Sequence, residues 1–221
     1  MDYKDLANLI FPDAKPISYY EEKYPERNLP EGAMVVRFAP SPTGYVHIGG
    51  LYQSIICTTL AKQTKGVRIL RIEDTDQKRL IENGVVQIVE AVKDFGIVFD
   101  EGMINETYEK GNYGPYKQSA RKDIYKAFAK YLIEQGKAYP CFATPEELDE
   151  MRKKQEAAKI RPGYYGVWAT YRNLSVEEAA ENIKAGEPYI VRFKSMGNEE
   201  RKIRHHDVIK GNVEFPENDQ D

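Results

Sequence analysis

The chain has 221 residues, 41% hydrophobic and 30% charged, which suffices for real cores and for two domains. Its net charge of −3 excludes an overall basic field for nucleic acid, although a local basic face remains compatible with it. Cys57 and Cys141 lie far apart without a CxxC or a neighbouring histidine, so no zinc is expected and a reduced cytoplasm fits; no segment suits a signal peptide or a membrane span.

Residues 1–33 are rich in proline, tyrosine and charge and read as an N-terminal extension, partly disordered. The apolar run Met34 to Val36 predicts a strand that feeds RFAPSPTGYVHIGG, Arg37 to Gly50. Pro40 and Pro42 forbid helix at the strand's exit, Thr43 and Gly44 suit a tight turn, and Gly49 and Gly50 open the next helix. That helix is predicted over Ile48 to Thr64, with Leu51, Ile55, Ile56, Leu60 and Ala61 as its apolar positions and Gly66 as its stop. A strand over Val67 to Ile72 completes a right-handed strand, helix, strand unit about forty residues long. Ile81 to Phe95 repeats the helical pattern through Val85, Ile88, Val89 and Val92 and ends at Gly96.

Asp100 to Tyr116 reads as a loop. Ser119 to Gln135 predicts a helix with Ile124, Phe128, Tyr131 and Leu132 on one face, stopped by Gly136. Thr144 with Glu147 and Ser175 with Glu178 form capping boxes, the first with Pro145 at the opening helical position. Strands are predicted over Tyr189 to Phe193 and Val208 to Phe215, which gives the second half a small sheet of its own.

A glycine-flanked helix start behind a stiff turn is an anion site: free amides and the positive end of the dipole favour phosphate, and glycine lets a nucleotide lie against the backbone. His47 stands beside that position, where an imidazole can donate to a phosphoryl oxygen as charge builds up. The paired His205 and His206 have no third ligand spaced nearby, so no metal site is expected.

RFAPSPTG followed by HIGG resembles the first ATP signature of the bacterial glutamyl-tRNA synthetases, members of class I, with Gly50 where the superfamily pattern has a second histidine. RIEDTD (Arg71 to Asp76), GPYKQS (Gly114 to Ser119), AYPCFATPEEL (Ala138 to Leu148) and EPYIVRFK (Glu187 to Lys194) resemble the same family in the same order. The resemblance implies an α/β fold: the first half of a class I synthetase Rossmann-like nucleotide-binding domain over 34–112, then a mixed α+β acceptor-stem-binding insertion over 113–221.

It further implies activation of glutamate by ATP, accompanied by magnesium, and transfer to tRNA(Glu). In that scheme Pro42, Thr43, Gly44, His47, Gly49 and Gly50 hold ATP, with His47, Gly49 and Gly50 at the chemistry. Arg37, Ala39, Ser41 and Glu73 hold glutamate, Arg37 gripping its side-chain carboxylate and Glu73 its ammonium. Asp74 and Asp76 are expected to fix their loop. Lys78, Arg79, Lys117, Arg121 and Arg172 are expected to meet the acceptor stem, and Tyr116, Tyr164, Tyr165, Tyr171 and Trp168 either stack on unpaired bases or fill the insertion's core.

No KMSKS-like sequence occurs, and Asp221 falls before the expected second half of the nucleotide fold, so the chain reads as an amino-terminal portion with little or no aminoacylation by itself. A cytoplasmic monomer is expected. The competing readings are a glutamyl-queuosine tRNA(Asp) synthetase, a non-catalytic tRNA- or ATP-binding module, and a nucleotidyltransferase of the wider superfamily.

Overall fold

Residues 1–33 are ordered in the computed structural model, which describes residues 1–221. They form α1 (Tyr3–Ile10), opened by an Asp2–Asp5 capping box, and α2 (Ile17–Lys23). The chain divides into two units, one of Lys15–Tyr125 and one of Met1–Ala14 with Lys126–Asp221. This division places the two helices of residues 1–33 in different units. α1 buries Leu6, Ala7 and Ile10 with Ile133, Ala138, Ala179 and Ala180, whereas Arg27 is bound to Glu101 within the other unit. Burial of apolar side chains and of a charge pair outweighs the polar composition that suggested a loose extension.

In the unit of Lys15–Tyr125, β1 (Val35–Phe38) pairs in parallel with β2 (Val67–Leu70), placing Arg37 opposite Ile69 and Phe38 opposite Leu70. β3 (Glu101–Met103) continues the parallel sheet and β4 (Glu109–Lys110) closes it antiparallel, in the order β1-β2-β3-β4. The two short strands lie inside the segment expected as a loop. The crossovers are α3 (Ile48–Thr64) and α4 (Gly84–Asp94), and the core gathers Phe38, Leu51, Leu70, Ile72, Val85, Ile88, Val92 and Met103.

α3 has the predicted bounds but a different inner face: Leu51, Ser54, Thr58 and Ala61 are buried, while Ile55 and Ile56 are 45% and 40% exposed. Small and hydroxylated residues meet the sheet there, and Ser54 Oγ satisfies itself on Gly50 O at 2.9 Å. The helix stop also works differently. Lys65, not Gly66, takes the left-handed conformation (φ 54°), and a Cβ on Gly66 would lie 1.9 Å from Met34 O. Gly66 is required by close backbone approach to β1.

A 3-10 turn over Gln118–Arg121 leads into α5 (Lys122–Glu134). Its buried positions are Ile124, Ala127 and Ile133; Phe128 and Tyr131, expected inside, are exposed at 44% and 45%. In the unit completed by Lys126–Asp221, β5 (Ala138–Cys141) pairs antiparallel with β6 (Ile190–Phe193). Both predicted capping boxes are present, on α6 (Pro145–Ala157) and α7 (Val176–Lys184). The strand expected over Val208 to Phe215 is a hairpin, β7 (Lys202–Asp207) and β8 (Gly211–Pro216), turned where Asp207 Oδ1 accepts from Ile209 N and Lys210 N at 2.9 and 2.7 Å. No helix is long and apolar enough to cross a membrane.

Candidate active site

The turn after β1 is fastened on both sides. Pro40 O accepts from Glu73 N at 3.0 Å, and Pro42 O accepts from Ile81 N at 3.1 Å. Gly84 lies so close beneath the turn that a Cβ there would stand 2.9 Å from Pro42 Cβ. Fixed proline dihedrals and carbonyls already committed to neighbouring segments leave the turn little freedom. Over it opens a cavity of about 330 Å³ lined by Pro40, Ser41, Thr43, Gly44, His47, Gly49, Gly50 and Gln53, with Phe38, Val46 and Ile88 as its apolar walls. It thus gathers five of the six residues expected to hold ATP; Pro42 lies buried behind them, against Gly84.

His47 is the N-cap of α3. Its backbone is extended (φ −96°, ψ 170°) and its Nδ1 accepts from Gly49 N at 3.1 Å. An Nδ1 that accepts places the proton of a neutral imidazole on Nε2, so the ring's outer nitrogen is a donor. Gly49 makes this possible: a Cβ there would come 3.0 Å from His47 Cε1. At Gly50 the nearest atom to an added Cβ would be Val46 Cγ1 at 3.4 Å, an ordinary contact. The other helix that starts at this edge of the sheet is closed to anions, because Glu106 Oε1 caps α4 by accepting from Val85 N and Val86 N at 3.0 and 3.3 Å. The start of α3, by contrast, faces a cavity through Gly49 and Gly50.

The expected amino-acid side of the site lies at the tips of the same strands. Arg37 Nη1 donates to Glu73 Oε1 at 3.1 Å, and Arg71 Nη2 donates to the same oxygen at 2.7 Å. Arg37 and Glu73 are 42% and 32% exposed, so the pair is open to solvent. Strand alternation sends Phe38 to the helix-covered face and Arg37 to the other, and Ala39, Pro40 and Ser41 carry the chain over the tip between them. Asp74, by contrast, is buried and accepts from Ser119 N and Ser119 Oγ at 2.8 and 2.6 Å, holding its loop. Asp76 pairs with Arg79 at 2.6 Å.

The residues expected to meet tRNA are dispersed. Lys78 and Arg79 are exposed; Lys117 lies 3.8 Å from Asp74; Arg121 donates to Pro115 O at 2.8 Å. Arg172 is taken up by Asp221 and by Ser195 O, and its fork is thereby committed within the fold. Tyr116 and Tyr164 are buried at 2% and 5% exposure, which makes them core residues and removes them from the stacking candidates. His206 Nδ1 lies 2.8 Å from Asn212 Oδ1 on the exposed hairpin. Gln53, Arg71 and Glu106 were missed from sequence: the first two sit one helical turn and two residues from recognised positions, and Glu106 acts across a loop without any local signature.

Residues 33–221 match the family model described as tRNA synthetases class I (E and Q), catalytic domain. The glutamate-tRNA ligase of Clostridium perfringens (strain 13 / Type A) is 56% identical over 222 residues, covering 100% of this chain and 41% of the relative. That of Acetivibrio thermocellus is 50% identical over 224 residues, with 100% and 41% covered. A crystal structure of a glutamate tRNA ligase from Elizabethkingia meningosepticum in complex with its amino acid superposes with a TM-score of 0.72 at 35% identity, over 84% of this chain and 37% of that one. The chain thus spans about two fifths of the length of the curated relatives it matches. The family model covers most of the chain, and the chain belongs to the class I tRNA synthetase family for glutamate and glutamine, matching its catalytic domain.

Proposed function

We propose that this chain carries the adenylate-forming site of a glutamate-tRNA ligase. ATP, entering with magnesium as part of the substrate, lies over the start of α3 with its phosphates toward the α3 amides and His47 Nε2. Glutamate replaces the resting pair at the strand tips, its side-chain carboxylate on Arg37 and its ammonium on Glu73, with Ala39 and Ser41 alongside. The α-carboxylate then attacks the α-phosphorus, a P–O bond forms, and pyrophosphate leaves. The second step moves the glutamyl group from the adenylate to the terminal ribose of tRNA(Glu), whose acceptor stem would meet the exposed Lys78 and Arg79 and the half-exposed Lys117. A cytoplasmic monomer fits, with both cysteines free.

The observation that carries this reading is the shared turn: Pro40 bonds Glu73 through its carbonyl and also lines the cavity, so one rigid segment fixes the spacing between carboxylate-binding and phosphate-binding groups. In-line attack requires a fixed spacing of this kind. The similarity to glutamate-tRNA ligases of several bacteria supports the choice of amino acid.

The test is ATP–pyrophosphate exchange by the full-length protein with glutamate against glutamine, with and without tRNA. Glutamate-dependent exchange followed by charging of tRNA(Glu) is expected. Exchange followed by transfer only to queuosine-containing tRNA(Asp) would reassign the acceptor, and no exchange with either amino acid refutes the site.

A further inference from the structure

Residues 15–32 precede the region matched by the family model, yet they fold into the same unit as the site. Tyr24 Oη donates to Gly114 O at 2.5 Å, and its ring stacks on Tyr113 with centroids 6.3 Å apart. Arg27 lies over the other aromatic contact, its guanidinium carbon 3.6 Å from the Tyr113 ring centroid. Its two terminal nitrogens donate to the two oxygens of Glu101 at 2.5 and 2.8 Å, with side chains only 16% and 14% exposed. Glu101 Oε2 also accepts from Tyr116 Oη at 2.6 Å, and that hydroxyl accepts from Tyr113 N at 2.9 Å. The Arg27 contact holds the Glu101 carboxyl below its usual range, while burial, followed by the Glu101 bond, pushes the Tyr116 phenol up. Both groups therefore keep the charge states these bonds need.

From Tyr116 the contacts run to the site. Tyr116 O accepts from Ile72 N at 2.9 Å, Ile72 O accepts from Gln118 N at 2.8 Å, and Asp74 accepts from Ser119. The residues on both sides of Glu73 are thus tied to the 114–119 segment, and that segment is tied to Arg27. We propose that Arg27 is a positioning residue for the amino-acid site: through Glu101 and Tyr116 it holds the 114–119 segment against Ile72 and Asp74, and so sets the Glu73 carboxylate for the substrate ammonium. This rests on the reading of Glu73 given above. The cavity over α3 is lined by none of these residues and meets them only through the Pro40–Glu73 bond, so the effect falls first on the amino acid.

The experiment measures KM for glutamate and for ATP in pyrophosphate exchange by the full-length protein, together with amide hydrogen exchange at Ile72, Gln118 and Ser119. Arg27→Ala raises the glutamate KM about tenfold, leaves the ATP KM unchanged and speeds exchange at the three amides. Arg27→Lys, which keeps the charge and one bond, recovers part of the loss. Tyr24→Phe removes only the hydroxyl on Gly114 and shifts the glutamate KM in the same direction by less, which covers the case in which Arg27→Ala fails to fold. Equal rises in both KM values, or faster amide exchange with an unchanged glutamate KM, overturn the proposal. An unaltered protein without glutamate-dependent exchange shows that the reading of the site itself is wrong, and the proposal falls with it.

Discussion

His47 holds two positions at once, as N-cap of α3 and as the imidazole over the cavity, and two substitutions separate them. The cap is one bond, Nδ1 from Gly49 N at 3.1 Å, at an exposed helix end. Losing such a cap to alanine costs about 1 kcal/mol, or about 2–4 °C in Tm for a chain of this size. Asparagine is among the strongest N-caps, and its Oδ1 can replace Nδ1. Its amide nitrogen is a donor but sits closer to the backbone than Nε2 and does not reach the same point over the cavity. A donor that serves only as charge builds up on phosphorus is worth about 3–4 kcal/mol, a factor of about 10²–10³ in rate. His47→Asn is therefore expected to melt within about 1 °C of the unaltered protein. His47→Ala melts lower, and both lose adenylate formation by the same factor, read by pyrophosphate exchange and calorimetry. Exchange that survives in His47→Asn while His47→Ala alone is impaired would show that this residue only starts the helix.

Three further outcomes follow from single contacts. Gly66→Ala places Cβ 1.9 Å from Met34 O, and since that carbonyl also accepts from Val67 N, β1 and β2 must part; a loss of about 2–3 kcal/mol, measured by denaturant unfolding, is expected. Arg68 grips Asp100 through Nε and Nη2 at 2.9 and 2.7 Å and holds its carboxyl below the usual range. A depressed carboxyl stabilises the fold above its unfolded pKa of about 3.9 and loses that contribution as pH falls through the folded value. Asp100→Asn should therefore lower Tm at pH 7, and the gap should close below about pH 4. Lys78→Glu, at an exposed position, is expected to weaken tRNA retention at low salt and to reduce the salt slope by about one; retention unchanged at every salt concentration removes Lys78 from the interface.

What could be read in advance was what is written locally. The capping boxes at Thr144 and Ser175, the bounds of α3 and the strand, turn, helix order around Arg37 to Gly50 depend on neighbours in sequence, and all are present. Which face of a helix is buried depends on what lies beneath it. On α3 the sheet side takes Ser54 and Thr58 while Ile55 and Ile56 stay exposed, and on α5 Ala127 is buried while Phe128 is not. The ordering of residues 1–33 was illegible for the same reason: Arg27 reads as a surface charge until Glu101, Tyr113 and Tyr116 are brought to it from far along the chain. Arg172 shows the converse, a cation whose apparent availability ends at Asp221. The grouping of candidate residues was legible where a strand tip and a helix start adjoin in sequence, and illegible where Glu106 caps α4 from a distance.

The resting contact between Arg37 and Glu73 looks at first like an argument against a binding role, since each satisfies the other. Magnitudes decide otherwise. An ion pair as open to water as this one contributes at most about 1 kcal/mol, so separating it costs little. A zwitterionic amino acid with an acidic side chain offers both ends what they lose: a carboxylate for the guanidinium fork, with two donors in place of the single bond at 3.1 Å, and an ammonium for Glu73. Arg71 holds the same Glu73 oxygen at 2.7 Å, a second anchor for that carboxylate besides Arg37. On the proposed reading the pair is a placeholder whose charges suit such a ligand, and the turn at Pro40 holds it beside the cavity over α3.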